Sequence, residues 1–165
     1  MDNYSYFFIA ALFIFLAGSF AYLFKRKKNA PIGESLINSK QLQLQAYERM
    51  LLLVDRIALP NLVSRLNNSE LSAKEMQLLL TQTIKQEYDY NITQQIYVSN
   101  DVWTVIKNLK EQNIYLINQV AAMLPITATA FDLNKKIVEF IGTDEKGKLN
   151  EAVSKVISFE AKKLL

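Results

Sequence analysis

The chain has 165 residues, with 19 basic and 16 acidic side chains and no histidine or cysteine. The usual imidazole base, thiol nucleophiles and the ordinary zinc, haem and iron–sulfur ligands are therefore absent. Lys25, Arg26, Lys27, Lys28 and Asp2 carry the whole charge excess: without these four cations and one anion, fifteen charges of each sign remain, and a formally neutral domain lacks the basic surface of a nucleic-acid binder.

The first element is "NYSYFFIAALFIFLAGSFAYLF", Asn3 to Phe24, with no charged side chain. As a helix it extends about 33 Å at about 1.5 Å per residue, against a bilayer core of about 30 Å. It is apolar on all sides, and Tyr4, Tyr6 and Tyr22 lie near its ends, where aromatic belts sit. A cleaved signal peptide would want a positive leading region and a shorter apolar core. The only early charge here is Asp2, so the stretch reads as an uncleaved span. Lys25–Lys28 follow it, and cations collect on the cytoplasmic side. The same four are placed to meet anionic headgroups. The expected topology is N-terminus out with the remainder cytoplasmic. Ala10, Ala17 and Ala21 share one face with Gly18 beside them, a pattern that lets spans pair.

Residues 1–28 thus read as a transmembrane anchor with a basic flank, 29–38 as a linker, and 39–165 as a cytoplasmic helical domain. In the linker, Pro31 and Gly33 of "NAPIG" break a continuous helix. Scarce Gly and Pro with abundant Leu, Gln, Lys and Glu then favour helix, giving an all-α bundle of about five helices. Ser39–Ala58 is the first, with Ala46, Met50, Leu53 and Ile57 on one face and Glu48, Arg49, Asp55 and Arg56 recurring seven apart on another. Pro60 opens a short helix, Asn61–Leu66. After "NNSELS", Ser72-x-x-Glu75 is a capping box that starts a long helix to Tyr97, bearing Met76, Leu80, Ile84, Tyr88, Ile92 and Ile96.

Ser99–Asp101 cap the next helix, Val102–Leu124. Val102, Leu109, Leu116 and Met123 are seven apart, and Ile106, Asn113 and Val120 fall four after each: an a/d seam with Asn113 at one position. A buried seam Asn fixes register either by pairing with its copy in a homodimer or by meeting a polar group, such as a glutamine or tyrosine, in its own bundle. Pro125 ends this helix; Phe131–Ile141 and Glu151–Leu165 close the bundle, with Gly142 and Gly147 flanking the turn.

"QAYERM" (Gln45–Met50), "LPNLVSRLN" (Leu59–Asn67) and "EYDYNITQQIYVSNDVW" (Glu87–Trp103), with Ile106-Lys107 after the tryptophan, carry a resemblance. The chain resembles a family of short, single-span, all-helical Bacteroidota proteins known only as a domain of unknown function. The resemblance covers most of the chain, more loosely from Ile126. It implies a Gram-negative envelope, hence the inner membrane, and no particular activity.

The stretch Glu87–Trp103 is polar and aromatic at once. Tyr88, Tyr90, Gln94, Gln95, Tyr97 and Trp103 are the candidate partner-binding residues; the alternatives are that Gln94 and Gln95 cap carbonyls and Trp103 packs in the core. The carboxylates Glu87 and Asp89, and Asp144 and Glu145, form no metal-binding or catalytic spacing, and no GxGxxG or GxxxxGK[ST] run offers a phosphate cradle. The leading expectation is a membrane-held interaction or scaffold module, without enzymatic activity or cofactor, bound to a protein partner and open to homo-oligomerisation. Two other classes remain: an enzyme subunit using carboxylates and a metal, and a lipid-sensing module resting on Lys25–Lys28.

Overall fold

A computed structural model describes residues 18–22, 32–143 and 149–165. The chain divides into two compact units, Met1–Ser39 and Lys40–Leu165. In the first, residues 18–22 are helical and exposed. The expected span Asn3–Phe24 otherwise lies outside the described residues, as do Lys25–Lys28, Asp144, Glu145 and Gly147. Among the described residues no helix is long and apolar enough to cross a membrane.

From residue 32 onward the described residues form six α-helices and one 3-10 helix: α1 (Ile32–Ile57), α2 (Leu59–Leu66), α3 (Ala73–Tyr90), the 3-10 turn (Ile92–Ile96), α4 (Asn100–Ala122), α5 (Ala130–Thr143) and α6 (Leu149–Lys162). The fold class is all-α, as composition implies. Two boundaries depart from expectation. α1 starts inside the expected linker, so Gly33 is helical. It is the second residue of the helix, in the first turn, where the interior cost of about 1 kcal/mol for a glycine is not met in full. The helix expected to run to Tyr97 instead ends at Tyr90. The Asn91 side-chain amide donates to the Glu87 carbonyl at 2.8 Å, taking the acceptor that its own backbone N–H would use. That N–H turns to the Tyr88 carbonyl at 3.0 Å, and the chain tightens into a 3-10 turn. Asparagine competes in this way with helical hydrogen bonding.

Met76, Leu80, Ile84 and Tyr88 are buried, whereas Ile92 and Ile96, beyond the break, are exposed. The α4 seam is buried from Val102 through Val120. Its last expected member, Met123, is the C-cap and is exposed. α1 adds Met50, Leu53 and Ile57, and α5 and α6 add Leu133, Ile137, Val153 and Ile157, to the same core.

Two paired starts hold one end together. Ser72 accepts from the Glu75 N–H at 3.2 Å while Glu75 accepts from the Ser72 N–H at 2.9 Å. Thr129 and Asp132 repeat this at α5: the Asp132 N–H donates to Thr129 at 3.3 Å and the Thr129 N–H donates to Asp132 at 2.9 Å. An antiparallel bridge, Ala73 N–H to Ala128 carbonyl and Ala130 N–H to Leu71 carbonyl, both 2.9 Å, ties the two caps.

The C-terminal turn of α1 is a second organising point. A helix leaves its last four carbonyls without helical donors. Here each receives a side chain. Asn150 of α6 donates to Val54 at 3.2 Å, Asn61 of α2 to Asp55 at 3.1 Å, Arg65 of α2 to Arg56 at 3.2 Å, and Asn113 of α4 to Ile57 at 2.8 Å. Three elements are thereby keyed to one helix end.

Candidate interaction surface

The six residues expected to form one face do not share one. Tyr88 is buried and stacks on the half-buried Trp103, with ring centroids 5.0 Å apart and planes tilted by 35°. The Lys110 ammonium lies 4.3 Å from the centre of the Tyr88 ring. Burial pushes the Tyr88 hydroxyl above the usual phenol range, partly opposed by Lys110. These two aromatics serve the core. Their positions on the inward faces of α3 and α4 dictate this, because Tyr88 follows Met76, Leu80 and Ile84 at helical spacing.

Tyr90 is two residues further on and points out, 77% exposed. Beyond the Asn91 break, Gln95 and Tyr97 are exposed and Gln94 is half-buried. Gln94 makes a long 3.5 Å contact to the Thr93 hydroxyl. Ile92 and Ile96 share this exposed turn, Ile96 at 73%. The 3-10 geometry aims both isoleucines outward, where a continued α-helix would have carried them along the Tyr88 stripe. Sequence periodicity could not show this.

Tyr90 is one wall residue of an open groove of about 510 Å³ between α1 and α3, lined by Arg49, Leu52, Leu53, Arg56, Thr83, Gln86, Glu87, Tyr90 and Asn91. The Arg49 guanidinium lies 5.6 Å from the Tyr90 ring centre. Arg56 donates to Glu87 through Nε at 2.8 Å and Nη2 at 2.6 Å, and Arg65 reaches the same carboxylate oxygen at 3.6 Å. The Glu87 bond raises the Arg56 pKa further. Guanidinium groups remain charged at any working pH, so Arg49 and Arg56 give the groove fixed donors for an anion. Sequence reasoning missed it, although Arg49 and Arg56, seven apart on α1, were the available signal. A second, small cavity of about 110 Å³ lies beside Asn113, between Pro60, Leu116, Ile141 and Asn150. Asn113 itself is buried, and its amide is spent on the Ile57 carbonyl. Its partner is thus a polar group of its own chain, a backbone carbonyl and not a glutamine or tyrosine side chain. Among the described residues no cluster of three or more acidic side chains could hold a metal ion.

No curated protein and no solved structure matches the chain. A family model does, from residue 4 to residue 164: the chain belongs to DUF7935, a family of unknown function.

Proposed function

We propose that the chain is a membrane-anchored helical module that binds another protein at the cytoplasmic face of a bacterial inner membrane, and that it acts by binding and not by catalysis. The observation that carries this reading is the exposed set at the α3–α4 connection: Tyr90, Ile92, Ile96 and Tyr97. Large apolar and aromatic side chains gathered on one exposed turn mark interaction sites, and tyrosine is enriched at the centres of interfaces. Membrane attachment is supported by the uncharged stretch Asn3–Phe24, and its orientation by Lys25–Lys28. The resemblance to single-span Bacteroidota proteins supports the same setting.

The test is site-specific photo-crosslinking of the full chain in native membranes. A photoreactive residue at Ile96 should give a discrete protein adduct, while one at the exposed Lys107 on α4 should not. An adduct of two chain masses would identify the partner as a second copy. No adduct at Ile96, or the same adducts at both positions, refutes the reading.

A further inference from the structure

We infer that the α1–α3 groove receives an acidic amphipathic helix of the partner, with carboxylates meeting Arg49 and Arg56 and an aliphatic side chain meeting Leu52. This rests on the interaction reading above and names the chemistry of what is bound.

Charge decides the occupant. Two guanidiniums, Arg49 and Arg56, line the groove against one carboxylate, Glu87, which is only 14% exposed and already held by Arg56 and, from outside the lining, by Arg65. The groove therefore presents net positive charge. Among the described residues no carboxylate pairs with Arg49; its contact is the face of Tyr90. A guanidinium over the face of a ring keeps its N–H donors, which lie in the guanidinium plane, available for bidentate carboxylate binding.

Spacing decides the form. Arg49, Leu52 and Arg56 recur at intervals of three and four on one stripe of α1, so the two arginines lie about 10 Å apart at about 1.5 Å per residue. Leu52 between them is 63% exposed, an aliphatic contact that the described residues leave largely uncovered. A helix bearing acid, aliphatic and acid at the same intervals matches this stripe, which is the helix-in-groove mode of recognition. Arginine and tyrosine flanking an apolar contact are also the residue types that concentrate binding energy in interfaces.

The experiment places a photoreactive residue at Leu52 in the full chain in native membranes, alone and with Arg49→Glu. The expected result is an adduct whose crosslinked partner peptide carries net negative charge with carboxylates flanking an aliphatic residue. Arg49→Glu should cut its yield at least tenfold, and Arg49→Gln by less. Both variants should melt with the parent, because Arg49 is a surface residue. The inference is overturned by an adduct that survives Arg49→Glu, by a neutral or basic partner peptide, by a lipid adduct, or by no adduct at Leu52. An adduct at Ile96 without one at Leu52 overturns this inference alone and leaves the interaction reading standing.

Discussion

Asn113→Asp isolates the hydrogen bond between α4 and the end of α1. The replacement has the same shape, but a carboxylate oxygen takes the place of the donor that now reaches the Ile57 carbonyl at 2.8 Å. Asn113 is 6% exposed and Ile57 fully buried, so water cannot readily substitute. Leaving a buried carbonyl unpaired costs about 1–3 kcal/mol, more when the opposing group is charged. The upper bound follows from linkage. A buried carboxylate can escape by taking a proton, which restores a donor. Keeping it protonated at pH 7 against an ordinary value near 3.9 costs about 1.4 kcal/mol per unit, or about 4 kcal/mol. The expected destabilisation at neutral pH is therefore about 3–4 kcal/mol, a fall in Tm of about 6–16 °C for a chain of this size. The folded pKa of the new acid is raised. The loss should therefore be small below the unfolded value and grow as pH rises towards the folded one. The assay is thermal unfolding of the full chain in detergent between pH 4 and 7, with mass by light scattering. The parent amide is satisfied within the chain, so the mass should not change. A variant as stable as the parent at pH 7, or one whose deficit shrinks as pH rises, would refute the assignment.

Ser72→Ala and Thr129→Ala should each cost about 0.5–2 kcal/mol by thermal melting. Because the bridge between residues 71–73 and 128–130 joins the two caps, the double variant should depart from additivity. Hydrogen bonds from Ser72 and Thr129 hold the Glu75 and Asp132 carboxyls below the usual carboxylate range. Their contribution is complete above the unfolded pKa and is lost as pH falls through the folded one, so both alanine variants should show a flatter acid limb. Tyr88→Ala should cost about 3–5 kcal/mol and red-shift Trp103 emission; unchanged emission would contradict the stacking. Glu87→Gln should cost under about 1 kcal/mol, because Arg56 is 53% exposed and solvent screens the pair. A C-terminal alkaline-phosphatase fusion should be inactive and a fluorescent fusion bright; the reverse pattern would overturn the cytoplasmic placement.

Sequence alone determined the helical class, the Ser72 capping box, the Pro60 helix start and the apolar stripes of α1 and α4, because each rests on interactions within a few residues. A capping box needs only residues three apart, and a stripe needs only the helical period. The second box, Thr129-x-x-Asp132, has the same local spacing but became evident only in the structure. Sequence also marked Asn113 as an anomaly in an apolar seam but could not supply its partner, which stands 56 residues earlier. Tertiary structure decided where long-range partners meet. It sent Tyr88 and Trp103 inward and Tyr90 outward. It did not make the break of α3 at Asn91, a contact across only four residues that exposes Ile92 and Ile96 and that helical periodicity does not report. Tertiary structure also set Arg49 and Arg56 of α1 beside Glu87 and Tyr90 of α3, making a groove from two helices whose charges, read separately, looked like ordinary solvated surface. The physical reason is the same throughout: periodicity reports which side of a helix is apolar, and only packing decides which polar groups are left facing one another.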